Sequence, residues 1–206
     1  MRRLNLVVPR LRALRLGLAL AFAGLVGGCN NMKIDEFAAS QPTLKLEEYF
    51  LGDLKAWGMF HDRFGNLRRQ FVVDINGSLE GDELILREDF VYDDGETQQR
   101  IWRIRALGGG RYEGRADDVI GVAAGTASGN ALNWTYKMDL KVGDGSWRVS
   151  FDDWMFLQSD GMMLNHATVS RWGFDIGVVT IAFRKLPDAN QAASALQPQS
   201  HAQAAE

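Results

Sequence analysis

Apolar and polar residues alternate along most of the chain with a period of two. In "LNWTYKMDL", Leu132, Trp134, Tyr136, Met138 and Leu140 share one parity, and Asn133, Thr135, Lys137 and Asp139 share the other. Successive side chains of an extended strand point to opposite faces, so this pattern predicts a half-buried β-strand. The alternation recurs in "KAWGMFHDR", "RRQFVVDI", "ELILREDFVY", "QRIWRIRAL", "RYEGRA", "SWRVSFDDWMFL", "MMLNHATVSRW" and "IGVVTIAFRK". Turn-forming stretches separate these runs: "FGN" from 64, "NGSLEGD" from 76, "DDGE" from 93, "GGG" from 108, "SGN" from 128, "GDG" from 143 and "SDG" from 159. Strands at such short and regular spacing predict hairpins in sequence order. A helical period is absent from the folded part, and only a short turn near "LKLEEYF" is expected. The prediction is an all-β fold: an antiparallel up-and-down meander of 9–10 strands. A meander of that length closes into a barrel, because closure removes the open edges.

The two ends of the chain break the pattern. Residues 1–28 carry five arginines and no acid, then an apolar run over 16–26 and two glycines. That run falls short of the roughly 20 apolar residues that a membrane-spanning helix needs. Its basic, apolar and small-residue order predicts a secretory signal. Cys29, the sole cysteine, follows at once, so an internal disulfide and a thiolate metal site are both excluded. The stretch "VGGC" resembles the lipobox of bacterial lipoproteins. The resemblance implies cleavage before Cys29 and acylation of that cysteine, hence a membrane partner reached through an N-terminal lipid anchor. Asn30 stands where lipoproteins retained at the inner membrane carry an aspartate, which implies a periplasm-facing protein of the outer membrane. Residues 29–43 are expected to be a tether and 44–186 the barrel domain. The stretch 187–206, rich in Ala and Gln and without aromatics, is expected to be a disordered tail.

Removal of the signal takes five of the 23 basic residues, leaving 18 against 26 acidic ones and a formal charge of −8. Such a surface disfavours nucleic acid and anionic headgroups.

The runs "EEYFLGDLKAWGMFHDRFGNLRRQF", "EDFVYDDGE", "GNALNWTY" and "FDDWMFL" carry a resemblance over residues 30–186. They resemble an uncharacterised family of proteobacterial lipoproteins, a domain of unknown function. The resemblance implies an envelope protein and supplies no mechanism. Gly52 and Trp57 of "GDLKAW" are similar, at wider spacing, to a glycine–tryptophan pair on the first strand of lipocalins. That is an analogy of architecture only.

Three Asp-Asp pairs bear on chemistry. Asp93 and Asp94 precede Gly95 and predict a hairpin turn, and Asp117 and Asp118 predict another. Asp153 differs, because it shares its parity with Val149, Phe151, Met155 and Leu157, so it faces inward and Asp152 faces out. Trp154 and Phe156 then lie on the outer face, which leaves the alternation imperfect. Glu88 is in phase with Leu86 and Phe90, Arg69 with Phe71 and Val73, and His61 with Trp57 and Met59. These phases predict an interior polar cluster of His61, Arg69, Glu88 and Asp153. Three readings follow. The cluster forms a pocket for a lipid or fatty-acid ligand, with Arg69 on a carboxylate headgroup. Or it is an ion-pair network that fixes register inside a filled core. Or His61, Glu88 and Asp153 carry protons in an enzyme acting on acyl chains. A nucleophile elbow, a P-loop and a dinucleotide fingerprint are all missing, so no cofactor is expected. Outside the tail the histidines are His61 and His166, so no metal site is expected either. Trp102, Trp134, Trp147 and Trp154 are expected in the core, and the glycines of "GVAAGTASGN" as strand bends.

The anchor is directly testable. Cys29→Ala should abolish incorporation of radiolabelled fatty acid and stall removal of the signal; equal labelling of the variant would remove the lipoprotein reading.

Overall fold

The computed structural model describes residues 32–187 apart from Asp144. Ten strands follow one another as the alternation predicts. They are β1 (Gly52–Asp62), β2 (Leu67–Glu80), β3 (Glu83–Tyr92), β4 (Thr97–Gly108), β5 (Arg111–Arg115), β6 (Ala123–Ser128), β7 (Ala131–Val142), β8 (Gly145–Leu157), β9 (Met163–Arg171) and β10 (Phe174–Lys185). Each strand pairs antiparallel with the next, and β1 pairs with β10, so the sheet is a closed barrel. The expected all-β meander is the observed fold.

Up-and-down order divides the connections between two ends. The links β1–β2, β3–β4, β5–β6, β7–β8 and β9–β10 all lie at one end, and the other links lie at the opposite end. Inward parity supplies the core: Leu54 and Ala56 on β1, Val73 and Ile75 on β2, Leu132, Trp134 and Met138 on β7, and Met163, Ala167 and Val169 on β9 are all buried.

The second end is closed by the chain before β1. A one-turn helix, α1 (Leu46–Tyr49), forms at the predicted "LKLEEYF". One turn has little stability of its own, so packing holds it. Leu44, Leu46, Tyr49 and Phe50 are buried. The Tyr49 hydroxyl donates to the carbonyls of Gly161 (3.2 Å) and Phe183 (3.4 Å). The Tyr112 hydroxyl donates to Glu47 (3.0 Å). Gly77 explains a difference from the sequence reading. Residues 76–80, expected as a turn, continue β2, and the chain reverses at Gly81 and Asp82, where Glu80 pairs with Glu83. Gly77 is buried within the strand because a β-carbon there would overlap the carbonyl of Phe50.

The segment expected as a tether is in part folded. Residues Ile34–Phe37 form a 3₁₀ turn on the outside of the barrel. The Phe37 ring packs against Phe156 (5.2 Å between centroids) and Trp154 (6.1 Å). This accounts for the imperfect alternation of β8: Trp154 and Phe156 do face out, and the preceding chain covers them. Cys29, the signal and nearly all of the expected tail lie outside the described residues. The described residues from Lys33 onward belong to one compact unit. It contains the whole core and leaves no sheet edge unpaired, so it folds without the preceding residues.

Gly77→Ala in this unit should lower stability by about 1–3 kcal/mol in urea melts, the usual cost of overpacking. The exposed Ser78→Ala should change it by less than about 0.5 kcal/mol. A Gly77 variant as stable as the parent would mean that the plug does not bear on β2.

Candidate functional site

Ten strands enclose more room than their own side chains fill. A cavity of about 750 Å³ runs from Leu46 and Phe50 at the plug to Arg68, Asp94, Lys141 and Gly143 at the other end, where it opens. The volume is in the range of about 300–1,000 Å³ typical of small-molecule sites. Aromatic side chains make up much of the wall. Tyr136 stacks on Phe151 (4.9 Å), and Trp102 meets Tyr136 edge-on (5.4 Å). Phe71 packs against Phe90 (5.8 Å) and Tyr92 (5.7 Å). The Trp134 ring lies over Gly125 of β6 and Gly114 of β5, where a β-carbon would collide with it. Gly125, read from sequence as a strand bend, instead makes room for an indole.

The principal polar groups of the interior come from five strands, β2, β3, β4, β8 and β9, and from the turn at Asp118. Asp153 is buried and Asp152 exposed, in the order that parity predicts. Asp153 stands opposite Trp134 on β7 and Ala167 on β9. Burial pushes its carboxyl up to about 7, against the pull of Asn165; Asp152 raises it further, and Arg100 and Tyr136 lower it. Asp153 Oδ1 and Asn165 Oδ1 are buried without a hydrogen-bond partner, and both residues line the cavity. Glu88 also lines it, directly opposite Arg100 on β4. Burial pushes Glu88 up to about 7, Arg100 opposes the shift and Asp118 adds to it.

Arg100 is the interior cation, and the sequence reading passed over it. It shares the inward parity of Trp102 and Ile104, which was the available signal. Its guanidinium donates from Nε (3.0 Å) and Nη2 (2.9 Å) to Asp118 and lies 3.9 Å from Glu88. Asp117 and Asp118 do form the predicted turn, yet the side chain of Asp118 reaches into the barrel. Arg69 lines the cavity at its mouth and is already engaged. It sits 3.5 Å from the centre of the Tyr92 ring and pairs with Asp94 (3.1 Å) and Glu96. Its Nη2 is therefore not free for the carboxylate headgroup expected of it, while its Nε is buried without a partner among the described residues.

His61 does not join the group. On β1 the inward positions are Leu54, Ala56, Gly58 and Phe60, while Trp57 and Met59, in phase with His61, are 36% and 40% exposed. The small residues face in because the Phe71 ring occupies the space above Gly58. The expected cluster is thus Glu88, Asp153 and a rim Arg69, with Arg100 and Asp118 added and His61 left outside. The proton-carrying set of the enzyme reading is not assembled around the cavity. Among the described residues no group of acidic, histidine or cysteine side chains could hold a metal ion.

The two raised carboxyls set a pH dependence. Their folded values lie above the unfolded ones, so between about pH 4.5 and 7 the folded state holds protons that the unfolded state has lost. Their contribution to stability is therefore greatest in mild acid and declines as pH rises towards 7, by up to about 1.4 kcal/mol per pH unit for each group. Urea melts across that window should show a shallower decline for the double variant Glu88→Gln with Asp153→Asn than for the parent. Parallel profiles would mean that neither carboxyl is raised.

Among curated proteins, none matches the chain. Among solved structures, the barrel is similar to that of the S-type phycobiliprotein lyase from Guillardia theta. The TM-score is 0.51 at 7% sequence identity, covering 76% of this chain and 99% of that one. An identity this low speaks for the fold alone, a lipocalin-like barrel. The sequence itself is more specific: a family model matches residues 23–185, and the chain belongs to the family described as protein of unknown function (DUF3833).

Proposed function

We propose that this protein is a lipid-anchored protein of the cell envelope whose barrel binds or transfers a lipid or another apolar ligand. The observation that carries the reading is the cavity: about 750 Å³, aromatic-walled, plugged at one end and open at the other. A purely structural barrel with a filled core would have no such space. The anchor at Cys29 and the outer membrane as its location rest on "VGGC" and Asn30.

The wall also speaks to the ligand's polar group. Both interior arginines are engaged by carboxylates, which disfavours a free fatty-acid anion. Among the described residues the unpartnered buried groups are one donor at the mouth, Arg69 Nε, and two acceptors deeper in, Asp153 Oδ1 and Asn165 Oδ1, and the acceptors face the apolar part of the cavity. An unmet buried acceptor costs about 1–3 kcal/mol, and a ligand donor would recover it. The fitting ligand is apolar with a hydroxyl, amide or amine.

Native mass spectrometry of Lys33–Glu206 purified from cells should show an adduct of lipid mass. The stripped protein should bind the fluorescent probe 1-aminoanthracene saturably, and a long-chain alcohol should displace it better than the matching fatty acid at about pH 8, where the acid is ionised. Asp153→Leu should weaken the alcohol about tenfold, near 1.4 kcal/mol. No adduct together with no saturable probe binding would refute the cavity reading, and preference for the fatty acid would refute the donor assignment.

A further inference from the structure

The geometry points to the open mouth as a docking surface for a lipid bilayer, engaged through one side of its rim. The inference deepens the ligand-carrying function above and rests on it for its purpose. The hairpins β1–β2 and β9–β10 both lie at the open end and are neighbours, since β1 pairs with β10 and the Arg63 amide donates to the Ile176 carbonyl (3.0 Å). Their tips carry Phe64, Trp172 and Phe174, which are 74%, 82% and 71% exposed. Three aromatic side chains left in water on adjacent loops cost solvation without contributing to the core.

Trp172 is held there against its own backbone preference. Arg171 pairs with Phe174, so Trp172 and Gly173 are the whole turn, and both have left-handed φ, 53° and 82°. A two-residue turn of this kind favours Asn-Gly, because a bulky L-residue is strained at positive φ. Strain that presents an exposed tryptophan points to a use for the ring outside the fold.

The cations are arranged to match. The Arg63 guanidinium lies 4.7 Å from the centre of the Phe64 ring, and that of Arg171 lies between Trp172 (4.1 Å) and Trp147 (4.2 Å). Among the described residues neither arginine pairs with a carboxylate. Asp62 is taken by Arg68 (2.6 Å), which leaves Asp175 as the acid on these two hairpins among the described residues. At the next tip round the rim, β3–β4, the charges differ, since Arg69 is neutralised by Asp94 and Glu96. Aromatic rings with arginines beside them are the residue types of a membrane interface: the rings lie at headgroup depth and the guanidinium groups reach phosphate. The chain as a whole is acidic, so this contact is local and does not need adsorption of the entire surface. Phe60, Arg68 and Ile176 line the cavity next to the same hairpins. An apolar ligand could pass from the bilayer into the barrel there without crossing water.

The test uses Lys33–Glu206, which lacks Cys29, and vesicles of phosphatidylcholine with about one-third phosphatidylglycerol. The parent should co-sediment with them, and its tryptophan emission should shift to the blue. The triple variant Phe64→Ser, Trp172→Ser, Phe174→Ser changes only exposed side chains and should lose at least about tenfold in partitioning. Its binding of 1-aminoanthracene should be unchanged, which keeps the two claims separable. Vesicle binding with an empty cavity would leave the docking claim standing and remove the carrier reading. A ligand-binding parent that ignores vesicles, or a triple variant that binds them equally, would overturn the docking claim. A rim-mediated dimer in sedimentation velocity, with no vesicle binding, would overturn it in favour of a second copy of the chain.

Discussion

Closure of a ten-stranded sheet is the constraint on which the rest of this molecule depends. A barrel of about eight strands is just filled by its own side chains, and diameter grows with strand number. Adding strands satisfies every backbone edge but leaves the centre short of atoms. One end of that surplus space is met by the chain itself, where Leu46 and Phe50 reach into the barrel over Gly77. The other end is left open. Both the cavity and its entrance at the uncovered end therefore follow from strand number and from which end the preceding chain covers.

The same enclosure governs the charges. A guanidinium inside a barrel is costly unless paired, and Arg100 faces Glu88 across a strand pair and Asp118 from a turn. Two carboxylates around one cation leave one negative charge in excess at full ionisation. Burial, with a smaller push from Asp118, raises Glu88 to about 7. Asp153 has no facing cation of its own and is pushed to a similar value by burial. At neutral pH the polar wall thus holds two carboxyls near their midpoints, able to accept a hydrogen bond when ionised and to donate one when protonated. Such a wall suits an apolar ligand with a polar tip better than an ion. It also lacks the histidine that acid–base work on that ligand would have used, because His61 stands on the other face of β1.

The mouth differs in character from the cavity behind it. Inside, aromatic rings are packed on one another and on glycines. At the β1–β2 and β9–β10 tips they are exposed and accompanied by arginines that pair with no carboxylate among the described residues. An apolar carrier must exchange with a phase in which its ligand dissolves. A rim that combines exposed rings with free guanidinium groups at the entrance is consistent with that requirement.

Much of this was legible in the sequence, for a local reason. Period-two alternation is a property of extended backbone, so strand number, antiparallel order and the inward face of β7 and β8, Asp153 included, could be read without a partner strand in view. Arg100 was legible by the same rule, in phase with Trp102 and Ile104. Other features were decided only by tertiary structure, because they depend on distances between segments far apart in the chain. On β1 the larger residues gave the wrong inner face, since Ala56 and Gly58 face in and the Phe71 ring lies over Gly58. Asp118 looked like a turn residue and is one, but its carboxylate meets Arg100 only after closure. Phe37 covers Trp154 and Phe156 only once β8 has a place in the barrel. The amount of open space at the centre is set by ten strands acting together, and no single stretch of sequence encodes it.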